Sequence, residues 1–430
     1  MTAAKALKDV TVLDLSHLLQ GPFATQLLAD MGANVIKVER PGQGDLFRTL
    51  TFNNRWVGGT ESPNFLAWNR NKRSLALDLK APEAKEILYK IAETADVVVQ
   101  NFRPGVLERL GFGYADFAKV NPRIIYCSGS GYGDSGPYLA RPGQDMLIQG
   151  LTGIAAATGR GDGPPVPVGS GFSDQVGAMN MVYGILSALY WRERSGEGQE
   201  IKVDLLSAML AHQGQEMLMA MNFQQDFVRP NSGIGHPGMD APFGVYPTSD
   251  GWVTVAMSPF KRFVGVLGDD SLLVYDNPKD LFDKRDEVWE KLAALTKGWT
   301  TADLMQALLA VDIWCGEVKT HLQAEQDPQV KHIGAITSYE HPTAGTVKVV
   351  APAVKLSKTP AEIERPAPRI GEHSREILGE FGFDAATVDG WVARGSVAET
   401  KRGRSADPHP PSPASGRGGI VSVPFPTRTD

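Results

Sequence analysis

The chain has 430 residues, which is more than one hydrophobic core usually accommodates, so two domains are expected. Its 42% hydrophobic and 21% charged residues are typical of a soluble globular protein. The 43 basic and 49 acidic residues give a net charge of −6, which argues against a surface built to bind nucleic acid.

The two cysteines, Cys127 and Cys315, are too few for a disulfide framework or a metal cage and suit a reducing cytoplasm. We therefore predict a cytoplasmic location and no metal site. Residues 1–9 have no apolar run, so no signal peptide is expected. No run of about 18 apolar residues occurs, and no membrane partner is expected.

Apolar runs and helical spacing alternate along the first half of the chain. The pattern predicts strands at 10–15, 34–39, 96–99, 123–128 and 199–203, and helices at 23–31, 83–94, 175–194 and 205–221. Such alternation is typical of an α/β fold with a parallel sheet, in which ligands bind at the carboxyl ends of the strands.

The composition changes after residue 224. Proline and glycine are frequent in residues 225–250, and a strand at 252–256 precedes helices near 286–295 and 301–310. We predict a large domain that begins with 1–224, a smaller α+β domain at 225–335, and a return segment at 336–399 that contains a strand near 345–350 and a helix at 374–381. Proline and glycine dominate 400–430, which predicts a disordered tail.

A glycine motif at 131–136 resembles the dinucleotide fingerprint G-x-G-x-x-G, and Glu39 ends a predicted strand. The fingerprint requires its glycines after the first strand, about twenty residues before the acidic group. This order is reversed here, so the motif does not predict nicotinamide binding. Glycine at the end of a parallel strand still permits close backbone approach to a ligand.

Asp174 stands among small residues, in the segment Gly169-Ser170-Gly171-Phe172-Ser173-Asp174, directly before a long predicted helix. One interpretation is that Ser173 or Asp174 simply caps the helix. The other is a reactive carboxylate that a bulky ligand can approach. The helix dipole and free N–H groups there predict an ionised carboxylate, the form that a nucleophile needs.

Basic residues recur in several predicted loops or at strand ends, where they could converge on a phosphorylated ligand; each alone could equally be ordinary surface charge. These residues are Arg40, Lys72, Arg73, Arg103 and Arg109.

Several ordered motifs resemble the family III CoA-transferases, the group that includes formyl-CoA transferase. They are VLDL at 12–15, GP at 21–22, GANVIKVE at 32–39, NKRSLALDL at 71–79, QNFRPG at 100–105, SGYGDSGP at 130–137, RSGEGQ at 194–199, WCG at 314–316 and GEH at 371–373. The resemblance covers about residues 8–395. It implies a Rossmann-like large domain with a parallel sheet, a small domain, and two ring-like subunits interlocked as a homodimer.

The resemblance places the family's nucleophilic aspartate at Asp174, which could also serve as the helix cap. It implies CoA contacts at Arg40, Lys72, Arg73, Leu75, Asn101, Phe102, Arg103 and Arg109.

The implied mechanism uses coenzyme A as a substrate moiety, with no metal and no tightly bound cofactor. Asp174 attacks the thioester of an acyl-CoA, for example succinyl-CoA, and forms a mixed anhydride. CoA thiolate then converts this anhydride to an aspartyl-CoA thioester, and a small carboxylic acid takes the CoA through a second anhydride.

Two other functions are weighed against transfer. Alpha-methylacyl-CoA racemases look similar but use a histidine, which would fall at Gln144 in this chain. A glutamine side chain cannot take up a proton near neutral pH, which argues against a racemase. A non-catalytic CoA-binding protein would have no use for Asp174.

The chain departs from the family pattern at Gln20, where the family often has alanine. Residues 232–238 are either a glycine-rich lid or a connecting loop, and Cys315 is expected to be structural.

Overall fold

The computed structural model describes residues 4–400. Its strands are β1 (Thr11–Asp14), β2 (Asn34–Glu39), β3 (Lys72–Leu77), β4 (Val97–Gln100), β5 (Ile125–Ser130), β6 (Gln199–Asp204), β7 (Gly244–Pro247), β8 (Trp252–Val255), β9 (Cys315–Glu317), β10 (Ile336–His341), β11 (Gly345–Val350) and β12 (Val397–Ala398).

Helices cover the sheets and connect the strands. They are α1 (Gln20–Asp30), α2 (Pro63–Trp68), α3 (Ala84–Ala92), α4 (Val106–Leu110), α5 (Tyr114–Val120), α6 (Asp145–Leu151), α7 (Ile154–Ala157), α8 (Phe172–Ser195), α9 (Leu205–His212), α10 (Gly214–Phe223), α11 (Phe260–Leu267), α12 (Pro278–Asp283), α13 (Arg285–Thr296), α14 (Thr301–Ala310), α15 (His321–Gln326), α16 (Pro328–His332), α17 (Ser374–Glu380) and α18 (Ala385–Arg394). Short 3₁₀ helices lie at Leu46–Arg48 and Asp270–Tyr275.

Seven strands form the large sheet in the order β12-β3-β2-β1-β4-β5-β6. All neighbours are parallel except β12, which pairs antiparallel with β3. The order reverses between β1 and β4, since β2 and β3 extend to one side and β5 and β6 to the other. The carboxyl ends beside this reversal are where an open parallel sheet binds ligands. The predicted α/β fold with a parallel sheet is confirmed.

Both faces of the large sheet are buried. Leu13 and Val98 point into one hydrophobic cluster, which includes α3 and α17. Val12 and Val99 point into the opposite cluster, against α1 and α8. Alternation along each strand therefore fills two cores, which explains why these strands read as continuous apolar runs.

Two local predictions are wrong. Lys72 and Arg73, expected in a loop, begin β3, because the run that follows them pairs with β2 from its first residue. The single helix predicted at 205–221 is two helices that meet at Gln213, whose backbone leaves the helical conformation (φ −96°, ψ 29°).

A three-stranded antiparallel sheet, β7-β8-β9, packs with α11, α13 and α14 around its own hydrophobic cluster. The hairpin β10–β11 lies apart from it and packs on α2. The chain then returns to the large sheet, where β12 joins its edge. The domain limits given above remain predictions, and residues 401–430 of the predicted tail lie outside the described residues.

The glycine-rich segment 232–238 is paired with the small sheet region. Val245 N donates to Gly233 O (2.8 Å), Gly235 N donates to Phe243 O (3.2 Å), and Ile234 is buried in the local cluster. This pairing is typical of an ordered connecting segment rather than a freely moving lid.

Within residues 4–400, no helix combines the length and apolar character that crossing a membrane requires.

Candidate functional site

Asp174 is the third residue of α8. Gly171 occupies the N-cap position, so the prediction that Ser173 or Asp174 caps this helix is wrong. The cap comes from another helix: Asp145 Oδ1 accepts hydrogen bonds from Ser173 N (2.6 Å) and Asp174 N (3.4 Å). Because Asp145 satisfies these donors, the Asp174 carboxylate is not used for capping.

The pKa of Asp174 lies above the ordinary value for an aspartate, whereas its position at a helix start predicts a lowered one. Burial, together with the negative charge of Asp145, raises the pKa of Asp174 to about 7. Both causes act against ionisation, whereas the position at the helix N-terminus favours it.

Asp145 is fixed in place by several bonds. Gln149 Nε2 donates to Asp145 Oδ2 (2.8 Å), and Ser173 Oγ donates to Asp145 O (3.2 Å). Gln144, at the position where the racemases would have histidine, is the N-cap of α6 and accepts from Met146 N (3.2 Å). Sequence reasoning inspected Gln144 and missed the neighbouring Asp145, because its partners lie 28 and 29 residues further on.

The β1–α1 loop closes over the carboxyl edge of the sheet. Asn101 Oδ1 accepts from His17 N (2.9 Å), and Asn101 Nδ2 donates to His17 O (2.8 Å). Phe102 packs edge-on against the His17 ring, with centroids 4.7 Å apart. Leu18 adopts a left-handed conformation (φ 65°) and donates its N–H to Asp45 Oδ1 (3.0 Å). The loop is thus held in one shape beside the predicted site.

A groove of about 100 Å³ lies at the ends of β4 and β5. Its lining includes Asn101, Phe102 and Arg103, together with residues 130–133, 138–139 and 141–143. A Cβ atom at Gly131 would come within 2.4 Å of Gly143 Cα, so the glycine motif allows two loops of this chain to touch. Asp145, two residues after Gly143, joins the segment that lines this groove to α8 through its hydrogen bonds from Ser173 N and Asp174 N.

A second, larger cavity of about 750 Å³ is lined in part by the first turns of α8. Phe172, Gln175 and Val176, which flank Asp174 in sequence, contribute to its wall. Residues 347–353, which comprise the end of β11 and the segment that follows it, also line this cavity.

The predicted CoA contacts divide into two groups in the structure. Asn101, Phe102 and Arg103 meet at the groove, and Arg109 is exposed in the nearby helix α4. Arg40 is exposed after β2, where it donates to Gln43 Oε1 (3.0 Å).

The other three predicted contacts are not at a surface, which corrects the sequence prediction. Lys72 is fully buried and donates to Asp14 Oδ2 (3.0 Å), Pro22 O (2.9 Å) and Asn69 Oδ1 (2.8 Å). These acceptors use all three protons of its ammonium group.

Arg73 is 7% exposed and pairs with Glu376 (2.8 Å) and Glu380 (2.7 Å) of α17. The side chain of Leu75 is fully buried in the core. Both residues therefore support the sheet, and their side chains cannot touch a ligand without disrupting it.

Among residues 4–400, no cluster of three His, Cys, Asp or Glu side chains is arranged to hold a metal ion. Cys127 is buried in the core and Cys315 lies in β9.

Comparisons with known proteins agree on one family. The family model described as CoA-transferase family III matches residues 7–374. The chain is 34% identical to the succinate–glutarate CoA-transferase of Agrobacterium fabrum, over 87% of this chain and 95% of that protein. It is 35% identical to the human succinyl-CoA:glutarate CoA-transferase, over 92% and 91% of the two chains.

More distant matches include the formyl-CoA:oxalate CoA-transferase of Rhodopseudomonas palustris strain BisA53, at 32% identity over 88% of this chain and 94% of that protein. A crystal structure of a CaiB/BaiF family protein from Brucella suis superposes with a TM-score of 0.77 at 29% identity, covering 88% of this chain and 100% of that one.

Proposed function

Because this chain belongs to the family III CoA-transferases and is an enzyme of that class, we propose that it transfers CoA from succinyl-CoA to a small carboxylic acid, with Asp174 as the nucleophile. The observation that carries the proposal is the Asp174 carboxylate, which Asp145 frees from capping and whose sequence neighbours Phe172, Gln175 and Val176 line the larger cavity. The choice of succinyl-CoA is supported by the similarity to the human succinyl-CoA:glutarate CoA-transferase.

The proposed reaction proceeds through four acyl transfers. A carboxylate oxygen of Asp174 attacks the thioester carbonyl, the C–S bond breaks, and a mixed anhydride and CoA thiolate result. The thiolate attacks the Asp174 carbonyl of the anhydride, which gives an aspartyl-CoA thioester and releases the donor acid. The acceptor carboxylate then attacks the aspartyl thioester, and the expelled thiolate attacks the acceptor's acyl carbon, which restores Asp174.

The raised pKa of Asp174 suits this role. A pKa of about 7 means that roughly half of the Asp174 side chains are ionised near neutral pH. A more basic carboxylate is also the better nucleophile, so burial increases reactivity while leaving enough of the reactive form. Activity is expected to rise with pH through about 7.

For CoA itself, we propose contacts with Arg40, Asn101, Phe102, Arg103 and Arg109. The groove supports the middle three, and the exposed guanidinium groups of Arg40 and Arg109 are available to phosphate. The buried Lys72, Arg73 and Leu75 are left out of this set.

We also propose a homodimer acting in the cytoplasm. Large apolar side chains are exposed along one long helix, α8, at Met179, Tyr183, Tyr190 and Trp191. A helix that displays this much apolar surface is typical of one that packs against a partner.

The test incubates the enzyme with succinyl-CoA and a panel of small acids in deuterium oxide and identifies the products by mass spectrometry. We expect a new acyl-CoA that forms only with its matching acid, and added hydroxylamine should trap Asp174 as a hydroxamate. Asp174→Asn is expected to lower turnover by roughly 10³-fold or more. The control Asp162→Asn changes an exposed loop carboxylate and should leave turnover unchanged.

Full turnover by the Asp174→Asn variant would contradict the mechanism. Deuterium entering an added 2-methylacyl-CoA, without any new thioester, would instead indicate a racemase.

A further inference from the structure

Gln20, the first residue of α1, carries a buried carboxamide with an unused donor. Its side chain is 4% exposed, and Nε2 finds no hydrogen-bond partner among residues 4–400. Leaving a buried amide N–H unpaired costs about 1–3 kcal/mol. Such a donor is expected where a bound molecule supplies the missing acceptor.

Two glycines make room for this carboxamide. A Cβ atom at Gly177 of α8 would lie 2.8 Å from Gln20 Nε2, and one at Gly129 of β5 would lie 2.5 Å from Gln20 Oε1. Any larger residue at either position would push the carboxamide away. The packing therefore holds the amide against the backbone of α8.

This places the donor one helical turn from Asp174. Gly177 follows Asp174 by three residues on α8, and residues so spaced share a helix face, with Cβ positions about 5–6 Å apart. The two helix starts also meet, since a Cβ atom at Gly171 would lie 2.7 Å from Leu19 Cδ1. The starts of α1 and α8 therefore lie against each other.

We propose that Gln20 is a specificity-determining residue, whose Nε2–H donates to a second oxygen of the acyl group, beyond the carbonyl that reacts with Asp174. This inference rests on the proposed transfer reaction at Asp174. A reacting carbonyl carbon approaches the nucleophile to about 3–3.5 Å, whereas Gln20 lies a helical turn further along. An acyl chain that carries a second oxygen a few bonds beyond the reacting carbon is long enough to reach Gln20 while its carbonyl carbon stays at Asp174.

The consequence is discrimination between acids of similar length. A dicarboxylic acid pairs the Gln20 donor, while a monocarboxylic acid leaves it buried and unpaired. Sites built to hydrogen-bond a substrate group reject analogues that lack it much more strongly than apolar pockets reject a missing methylene. Alanine, the residue often found at this position in the family that the sequence resembles, offers no such donor.

The test compares glutarate with valerate, which has the same chain length and one carboxylate, as acceptors of CoA from succinyl-CoA. In Gln20→Met and Gln20→Ala, we expect the ratio of kcat/KM for glutarate over valerate to fall about 10- to 100-fold, mainly through the glutarate value. The control Gln306→Met makes the same change at an exposed position on α14 and should leave the ratio unchanged.

Thermal unfolding supplies a second readout that does not depend on turnover. Methionine fills similar volume without a donor, so the Tm of Gln20→Met should not fall, because an unpaired buried group is removed. Glutarate with free CoA should raise the Tm of the natural chain more than valerate does, and this difference should vanish in the variant.

Equal losses with both acids, an unchanged ratio, or a Tm that falls by more than about 5 °C in Gln20→Met would overturn the assignment. If no acid accepts CoA, the proposed function fails, and the Tm difference between glutarate and valerate still decides the role of Gln20.

Discussion

Two groups of carboxylates, one at the ends of strands β1 and β2 and one at the start of α8, have pKa values shifted in opposite directions. Asp14 and Glu39 end the strands β1 and β2, where Lys72 lies 3.0 Å from Asp14 and Arg48 lies 2.7 Å from Glu39. Burial alone would raise both pKa values, but the cations outweigh it, so that the pKa of Asp14 lies below its usual range and that of Glu39 falls to about 2.

At Asp174 burial also raises the pKa, and the neighbouring Asp145 adds to the rise instead of cancelling it. The sign of the nearest charge, rather than burial, therefore separates a structural carboxylate from a reactive one in this protein. The neighbouring cation keeps Asp14 ionised as a structural group. The neighbouring Asp145 leaves Asp174 able to change its protonation state near neutral pH.

The largest expected effect comes from breaking the scaffold pair. Lys72→Met leaves Asp14 buried without its closest cation and should lower the free energy of unfolding by about 3–5 kcal/mol, measured by urea denaturation. Lys90→Met removes an exposed lysine that pairs with Glu93 (2.7 Å) and should cost less than about 0.5 kcal/mol. A loss below about 1 kcal/mol in Lys72→Met would show that the pair is not structural.

A smaller effect concerns the dependence of stability on pH at Asp174. Its folded pKa of about 7 lies above the unfolded value, so the folded state retains the proton that the unfolded state has lost. Stability conferred by this group is present below pH 4 and is lost as pH rises through 7. Between pH 5 and 8.5 the natural chain should lose about 2–3 kcal/mol relative to Asp174→Asn. Parallel pH curves for the two proteins would show that the pKa is not raised.

The smallest expected effect concerns the contribution of Asp145 to the pKa of Asp174. Asp145→Asn removes the like charge but keeps an oxygen that can accept from Ser173 N and Asp174 N. The pKa of Asp174 should fall, so the rise of kcat/KM with pH should move to lower pH. Asp162→Asn is the matched control. An unmoved pH profile would mean that burial alone raises the pKa of Asp174.

Part of this site could be predicted from the sequence because its signals are local. Local residue patterns predict the start of a long helix near Asp174. They also predict the loop after β4 that contains Asn101, Phe102 and Arg103. The strands were predicted to within a few residues, since both faces of the large sheet are buried and its strands form apolar runs.

Other features depend on partners far away in the chain. Arg73 was expected to be free, but Glu376 and Glu380, about 300 residues later, neutralise it. Asp145 lies 29 residues before Asp174, in a different helix, and no local pattern connects them.

By itself, the sequence determined the family, the α/β class and the identity of the candidate nucleophile, because motifs and apolar periodicity are properties of neighbouring residues. Only the tertiary structure decided which cations remain available to a ligand, which group caps α8 and whether Asp174 is charged. Burial and electrostatic pairing depend on distances in space, and folding brings together carboxylates and cations that the order of residues keeps apart.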